Sequence, residues 1–266
     1  MANDPKAILR RGIMRGMAAV MTVMGLTACA PEKPVEKPQA PTPIASIAPE
    51  KRDLPRFEAP ACKRIAQHAE SFGEERTTRT TQYFTPVFPA GPDGGLRPED
   101  RDNCLKMEGS CIVGNKLYNA GGPSGRVYDL TQIPTVFGQG SGKNAFNATN
   151  ALFPCVTVAA DPAEYKTGTV IYIPAFRGKL CPQNGQPVDG CFVVGDVGSK
   201  IRGPGRFDIF TGDCARYDGS RHVCRDPGTA SFNVPSGTPF RVIPRDDKLA
   251  VDLRAEVDAF VENGWK

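Results

Sequence analysis

Cysteines constrain the possible folds of this chain more than any other residue type. The sequence contains nine, and all but Cys29 lie after residue 60. Eight cysteines in an exported chain indicate a disulfide framework, for which 105 pairings are possible. Cysteines that are close in sequence favour three bonds and leave a fourth: Cys104–Cys111, Cys181–Cys191, Cys214–Cys224 and Cys62–Cys155. No two cysteines have the CxxC-like spacing of a zinc site, so we expect no metal.

The N-terminal segment indicates export. Residues 1–15 are basic, and residues 16–28 are apolar, uncharged and too short to span a bilayer, as in a signal peptide. The segment ends in Leu-Thr-Ala-Cys29, which resembles the lipobox of bacterial lipoproteins. That resemblance implies a lipidated Cys29, a signal peptide over 1–28 and an outer-membrane anchor facing the periplasm. An ordinary secretory peptide with a chance cysteine is the alternative, and it too places the mature chain outside the cytoplasm.

A proline-rich segment separates this leader from the rest of the chain. Eight prolines occur between Ala30 and Pro60, which favours an extended polyproline-like tether over residues 29–61. The main domain is then expected over residues 62–266. The formal net charge is +4, and residues 1–28 contribute +3 of it (four basic side chains against Asp4). The remaining +1 offers no basic patch for nucleic acid.

Glycine and proline predict a mainly β fold with many turns. The chain has 28 glycines and 25 prolines, and its apolar runs are short. The predicted strands are Thr77–Phe84, Cys111–Val113, Arg126–Thr131, Val156–Ala160, Thr169–Pro174, Cys191–Asp196, Arg206–Thr211 and Thr238–Pro244. Helices are predicted over Lys63–Glu75 and Asp252–Asn263. This pattern is typical of a small β-barrel with peripheral loops and a short C-terminal helix.

The densest chemical signal lies in Gly190–Asp213. One apolar strand ends in Asp196, a glycine-rich link carries Lys200 and Arg202, and a second strand carries Asp208. Glycines such as Gly198 leave room for a bulky ligand, and the cations can bind a substrate carboxylate. Two aspartates in different surroundings can differ in pKa, as acid/base cleavage of a glycan requires. Aspartates beside glycines are also common turn formers, and that interpretation stays open.

A family resemblance favours the catalytic interpretation. The segment GDVGSKIRGPGRFDIF resembles the D-x-G-x-x-I-x-G…D signature of the three-aspartate (3D) domain, a six-stranded double-psi β-barrel. It is similar in particular to the C-terminal part of the membrane-bound lytic transglycosylase A family. TQYFTPV at 81–87 and the segment 158–174 resemble two further motifs of that family, in the same order. The resemblance covers about half of the chain, from Thr77 to Asp213.

The resemblance also implies roles for individual residues. Asp208 matches the acid/base, Asp196 its neighbour in the site, and Asp161 the first aspartate of the signature. Thr81 and Tyr83 match positions that line the substrate groove. The segment between Tyr83 and Asp161 is too short for the family's second, substrate-clamping domain, which we expect to be reduced or absent.

The function that this resemblance implies is a cofactor-free lytic transglycosylase of peptidoglycan glycan strands. It would cleave the bond between N-acetylmuramic acid and N-acetylglucosamine and leave a 1,6-anhydro product. Two alternatives remain open at this stage. One is a barrel that binds peptidoglycan without cutting it, and the other is a structural envelope protein.

Two other segments carry weaker signals. Gly138–Asn144 looks like a phosphate-binding loop but lacks the GxxxxGK[ST] spacing, so we predict an ordinary loop. His68 and His222 are the only histidines in the sequence. His222 lies between Cys214 and Cys224, where we expect it to be solvated.

Overall fold

The computed structural model describes residues 50–54, 57–120, 127–131, 138 and 151–263. Of residues 261–263 it describes the backbone alone. The predicted signal peptide, the Cys29 lipidation site and most of the predicted tether lie outside the described residues. Among the residues that are described, none of the helices has the length and apolar character needed to cross a membrane.

The described fold is mainly β. Its strands are β1 (Arg76–Phe88), β2 (Ser110–Val113), β3 (Lys116–Asn119), β4 (Val127–Asp129), β5 (Thr157–Ala160), β6 (Val170–Tyr172), β7 (Cys191–Asp196), β8 (Arg206–Cys214), β9 (Tyr217–Asp218), β10 (Val223–Cys224) and β11 (Thr238–Ile243). Its α-helices are α1 (Pro60–Gln67) and α2 (Lys248–Asn263). The mainly β prediction with a short C-terminal helix is confirmed.

Six of the strands pair in a closed cycle. Their order is β11-β6-β7-β5-β8-β1, and β11 pairs with β1 as well as with β6. The pairs β1–β8 and β5–β7 are parallel, whereas the other four pairs in the cycle are antiparallel. Strands that are far apart in sequence are therefore neighbours, which places residues of β1, β5, β7 and β8 side by side.

Apolar side chains on one face of these strands form the central core. Val158, Val194, Phe207 and Ile209 are buried together there with Phe240. Along β8 the side chains alternate, so that Phe207 and Ile209 enter this core while Asp208 and Phe210 point to the other face. Alternation thus directs Asp208 away from the core.

The two helices cover a second apolar cluster. Leu253 and Val257 of α2 pack with Ile65 of α1 against Val170 and Val193. The structure begins α1 earlier than predicted, because Pro60 suits the first turn of a helix. It also begins α2 one turn earlier than predicted. The Asp247 carboxylate, rather than Asp252, accepts the Leu249 amide there at 2.8 Å.

Four disulfides join the described cysteines, and two expected pairings are wrong. The bonds Cys104–Cys111 and Cys214–Cys224 are present, as short sequence separation suggested. The structure replaces Cys181–Cys191 and Cys62–Cys155 with Cys62–Cys191 and Cys155–Cys181. The physical reason is the side of the sheet. Cys191 faces the helix cluster together with Cys62, whereas Cys181 lies with Cys155 in the central core.

Part of the predicted tether contacts the domain. The Arg52 guanidinium binds the fully buried Asp213 carboxylate through two hydrogen bonds of 2.7 and 2.8 Å. Lys51 lies 3.0 Å from the Asp226 carboxylate, and Leu54 is buried. Residues 51–54 are therefore packed on the domain that was expected to begin at Cys62.

A small antiparallel sheet is inserted between β1 and β5. Strand β2 is parallel to the end of β1, and β3 and β4 continue from it in antiparallel order. β3 was not predicted, because Lys116–Asn119 is short and mixed in character. Ile112 and Leu117 of the insertion pack against Phe210 and Val87 on the outer face of the central strands.

Candidate active site

Four residues from four adjacent strands form a row across the outer face of the sheet. Ala159 of β5 pairs with Asp196 of β7 on one side and with Asp208 of β8 on the other. Asp208 in turn pairs with Thr81 of β1. Paired residues on neighbouring strands point to the same face of a sheet. The cycle of strands therefore brings Asp196, Asp208 and Thr81 together, as expected from the sequence.

The two aspartates are separated by one strand. Two strand spacings place their Cα atoms roughly 10 Å apart. The side chain between them is the methyl group of Ala159, which is itself buried. Both aspartates are half-buried. Such a pair can contact one ligand from two sides.

Asp208 is held by a hydroxyl and a cation. The Thr81 hydroxyl donates a short hydrogen bond to Asp208 Oδ1, and Arg206 Nη2 donates to Thr81 Oγ1 at 2.8 Å. Burial raises the pKa of the Asp208 carboxyl above its ordinary value. The hydrogen bond from Thr81 and the charge of Arg206 act in the opposite direction, but burial is the larger effect.

Arg206 was missed by the sequence analysis. It lies two residues before Asp208 on the same strand and therefore on the same face. Its Nη1 atom also donates to the Phe207 carbonyl at 2.9 Å. Strand alternation was the signal that could have identified it.

Tyr83 lies next to this row. Its ring packs against Phe210, with centroids 5.2 Å apart. Its hydroxyl oxygen is buried and lies next to the Asp196 carboxyl. Burial raises the pKa of Tyr83 well above its ordinary value, and the charge of Asp196, a hydrogen bond with Asp196 and the charge of Asp208 raise it further. Tyr83 is therefore a neutral, buried hydroxyl beside Asp196.

Gly138 contacts the Asp196 side of the row. A side chain at position 138 would approach the Gly195 carbonyl to 2.7 Å and the Asp196 carboxyl carbon to 3.1 Å. Only a glycine allows the backbone to pass so close to this carboxyl. Asp196 also accepts a hydrogen bond of 2.8 Å from the Val197 amide. The loop prediction treated Gly138 as an ordinary position and missed this contact, since no local motif indicates it.

Asp161 has structural partners. One carboxylate oxygen accepts the Gly203 amide at 2.8 Å, and the other accepts the Ala163 amide at 3.1 Å. These bonds lower the pKa of Asp161 below its ordinary value. Nearby, the Gly205 amide donates to the Tyr165 hydroxyl at 2.9 Å. Asp161 therefore fixes the link between β7 and β8, and its predicted contact with substrate stays a prediction.

The link between Asp196 and Asp208, which carries Lys200 and Arg202, is also held by hydrogen bonds and packing. Arg202 donates to the carbonyls of Gly198 and Ile201 at 2.7 and 2.8 Å, although it is exposed. A side chain at Gly198 would overlap Ile201, which is buried. Lys200 is exposed. Packing therefore accounts for Gly198, whereas Lys200 and Arg202 lie on a surface that a ligand can reach.

One cluster of metal-ligand residue types occurs among the described residues. It consists of Cys214, Cys224 and Asp226. The two cysteines are joined in a disulfide, so neither sulfur is a free thiolate. The Asp226 carboxylate accepts the amides of Ala215 and Arg216 and pairs with Lys51. This cluster is explained by structural bonds.

The family comparison agrees with the aspartate pattern. Residues 156–220 match the model of the 3D domain. The matched segment contains β5, β7 and β8 and, with them, Asp161, Asp196 and Asp208. The match extends over 65 of the 266 residues.

Solved structures of lytic transglycosylases are similar to parts of this chain. A membrane-bound lytic murein transglycosylase from Agrobacterium tumefaciens is 22% identical, with a TM-score of 0.23, over 35% of this chain and 24% of that chain. MltA from E. coli with bound chitohexaose is 14% identical, with a TM-score of 0.36, over 68% and 81%. LtgG of Burkholderia pseudomallei is 14% identical, with a TM-score of 0.30, over 63% and 71%. The match thus spans about a quarter of the Agrobacterium protein. Among curated proteins none matches the sequence.

Proposed function

We propose that this protein is a lytic transglycosylase of peptidoglycan and that Asp208 is its acid/base. The bond cleaved is the one between N-acetylmuramic acid and N-acetylglucosamine, and the product carries a 1,6-anhydro ring. The observation that carries the proposal is the row Asp196–Ala159–Asp208–Thr81. It places a half-buried carboxyl of raised pKa beside a second carboxyl.

We also propose a barrel fold for the strands that carry the site. The six strands that pair in a cycle form the double-psi β-barrel of the 3D domain. The two parallel pairs, β1–β8 and β5–β7, and the closing pair β1–β11 support this assignment. A closed barrel leaves few free edges, and it holds the aspartates on strands instead of on loops.

In the first step Asp208 acts as an acid. Its raised pKa keeps a larger fraction of the carboxyl protonated near neutral pH than an exposed aspartate would have. The proton passes from Asp208 to the glycosidic oxygen, and the bond from that oxygen to C1 of the muramic sugar breaks. The acetamido group of the same sugar stabilises C1, as in other substrate-assisted glycosidases. The negative charge of Asp196 favours the positive charge that develops at the ring.

In the second step the same residue acts as a base. The ionised Asp208 accepts the proton of the C6 hydroxyl, whose oxygen bonds to C1 and closes the anhydro ring. Thr81 donates to Asp208, and Arg206 donates to Thr81, so both stabilise the ionised form between the two steps. Burial and this hydrogen-bonded pair act in opposite directions, which suits a carboxyl that must give up a proton and then take one back.

The proposal also covers the residues that bind the substrate and the location of the protein in the cell. Tyr83 contributes its half-buried side chain, beside Asp196, to the sugar site, and the exposed Lys200 and Arg202 offer charge to lactyl or peptide carboxylates. Asp161 acts indirectly, by fixing the link that carries these cations. Lipid on Cys29 anchors the mature protein to the outer membrane, facing the periplasm.

The test is a digestion of purified peptidoglycan sacculi by the oxidised mature protein, with the released products examined by mass spectrometry. We expect anhydro-ended muropeptides from the wild type and none from Asp208→Asn. The control is Asp93→Asn, because Asp93 is exposed. Asp213→Asn is unsuitable as a control, because Asp213 is buried against Arg52. Anhydro products from a folded Asp208→Asn protein would remove Asp208 from the role.

A second candidate function is a barrel that binds glycan without cleaving it. The observation that favours it is the hydrogen bond from the Thr81 hydroxyl to Asp208 Oδ1. Such a bond can hold a carboxylate in a purely structural role. In that case the protein sediments with sacculi, and no anhydro ends are released. The digestion therefore separates the two functions.

A further inference from the structure

Two arginines form a pair beside the carboxyl of Asp208. Arg79 of β1 pairs with Arg206 of β8, and Thr81 pairs with Asp208 two residues further along both strands. Side chains two residues apart on a strand point to the same face and are roughly 7 Å apart along it. The outer face of these two strands therefore carries two guanidinium groups next to the Thr81–Asp208 pair.

Hydrogen bonds hold the Arg206 guanidinium in this position. Its Nη1 atom donates to the Arg79 carbonyl at 3.3 Å, and its Nη2 atom donates to the Thr81 hydroxyl at 2.8 Å. Thr81 in turn donates to Asp208 Oδ1. One hydroxyl thus separates the Arg206 cation from the proposed acid/base.

The two positive charges lack an ion-pair partner in the described part of the chain. No described acid lies within ion-pair distance of either arginine, and Arg79 is exposed. The Nε atom of Arg206 has no hydrogen-bond partner there either. Burial lowers the pKa of the Arg206 guanidinium; the charge of Asp208 opposes this effect, and the charge of Arg79 adds to it. Two neighbouring cations of this kind favour an anion from outside the protein.

The substrate of the proposed function supplies such an anion. N-acetylmuramic acid carries a lactyl ether on C3, and the carboxyl of this group is free in glycan strands from which the stem peptide has been removed. In strands that keep the peptide, that carboxyl is an amide, and the nearest free carboxylates belong to the peptide. The proposed mechanism places C1 of the same sugar at Asp208, so C3 lies only one sugar ring away from it.

We propose that Arg79 and Arg206 bind a carboxylate of the muramic sugar whose bond is cleaved. The inference rests on the proposed function and specifies its substrate, a glycan with a carboxylate next to the reacting carbon instead of a neutral, chitin-like glycan. Guanidinium groups suit this role, because their planar N–H groups match the two oxygens of a carboxylate. Arg206 also positions Thr81, whereas Arg79 contacts the substrate alone, so Arg79 is the residue to change.

The experiment measures the binding of three hexasaccharides by isothermal titration calorimetry. The ligands are chitohexaose, which has no carboxylate, a peptide-free hexasaccharide of alternating N-acetylglucosamine and N-acetylmuramic acid, and the same hexasaccharide with its stem peptides. The oxidised mature protein carries Asp208→Asn throughout, so that no ligand is cleaved. We expect the peptide-free muramyl ligand to bind about tenfold more tightly than chitohexaose, the effect of one charge-assisted hydrogen bond.

Arg79→Gln is expected to remove most of this preference and to leave the affinity for chitohexaose unchanged. The variant should fold, because Arg79 is exposed. Arg76→Gln is the matched control, since Arg76 is an exposed arginine three residues earlier on β1 and therefore on the opposite face. It removes the same charge and is expected to keep the preference. An equal loss in both variants would overturn the proposal, because it would report net charge instead of the arginine pair.

The peptide-bearing ligand identifies the source of the carboxylate. If its affinity also depends on Arg79, the pair accepts a peptide carboxylate; if it does not, the pair is specific for the free lactyl carboxylate. A preference for the muramyl ligand that survives Arg79→Gln would overturn the proposal and leave this recognition to Lys200 and Arg202. Equal affinity for the peptide-free ligand and chitohexaose, or no binding of either, would overturn it as well. Because the titration needs no cleavage, it stays informative if the sacculus digestion disproves the enzyme.

Discussion

Strand β8 carries an aspartate near each end, and the two carboxyl groups differ in burial and in their partners. Asp213, near the end of the strand, is fully buried and receives both forks of the Arg52 guanidinium. Asp208, near the start, is half-buried; among the described residues the Thr81 hydroxyl donates to one of its oxygens, and Arg206 donates to Thr81. Direct pairing stabilises the buried Asp213 carboxylate, whereas burial of Asp208 raises its pKa.

Asp161 provides a third case that supports this comparison. Two backbone amides satisfy both of its oxygens and lower its pKa. Three aspartates of one small domain thus have three different sets of partners: a guanidinium, two backbone amides and a threonine hydroxyl. The predictions below change one partner at a time, beginning with the largest expected effect.

Asp208→Asn is expected to reduce cleavage of sacculi by about 10³-fold, since general acid–base catalysis contributes 10²–10⁴-fold. Stability is not expected to fall, because burial of the ionised Asp208 is a cost that the amide removes. Measurement of anhydro products together with thermal unfolding separates the two effects. If Asp208→Asn were both inactive and unfolded, Asp208 would have a structural role like that of Asp213. That result would contradict the difference that we propose between the two aspartates.

Arg52→Ala is expected to lower the free energy of unfolding by about 3 kcal/mol, because it leaves the buried Asp213 charge without its partner. Urea unfolding of the oxidised protein measures the change. Lys51→Ala is the control and should cost less, since backbone amides also hold its partner Asp226. Equal effects of the two variants would show that the contact of this segment matters more than the Arg52–Asp213 pair.

Thr81→Val removes the hydroxyl on Asp208 while keeping the shape of the side chain. A hydrogen bond to a charged group contributes about 1.5–3 kcal/mol, so we expect cleavage to fall by roughly tenfold or more. Because Thr81 lowers the pKa of Asp208, its loss raises that pKa further. Activity that depends on protonated Asp208 declines as pH rises through this pKa, and the decline should move to higher pH. A pH profile that moves to lower pH would contradict this role of Thr81.

Asp161→Asn is expected to have the smallest effect on cleavage and a measurable effect on stability. The folded pKa of Asp161 is lowered, so its contribution to stability is present above the ordinary aspartate pKa and is lost as pH falls through the folded value. Thermal unfolding should therefore separate the variant from the wild type at pH 7 and bring the two together in acid. A difference that persists at low pH would assign the effect to packing.

Much of the strand structure could be predicted from local patterns. The bounds of β7 agree with the prediction, and β8 begins where it was expected, because apolar runs between glycine-rich turns are a local property. The aspartate pattern also identified a segment, residues 156–220, that matches the 3D domain model. Arg206 and Gly138 were not predicted, because each contacts the site through the arrangement of strands and not through a motif.

The sequence by itself determined the mainly β class, two of the three predicted short-range disulfides and the aspartate pattern of the segment that matches the 3D domain, since these depend on residue type and short spacing. Tertiary structure alone decided how each aspartate is buried and partnered, because burial and partners such as Arg52 come from segments more than a hundred residues away in the chain. It also decided that Cys191 bonds Cys62 instead of Cys181, because two cysteines ten residues apart lie on opposite faces of one sheet. Side of the sheet and depth of burial are properties of the packed strands, and no local spacing encodes them.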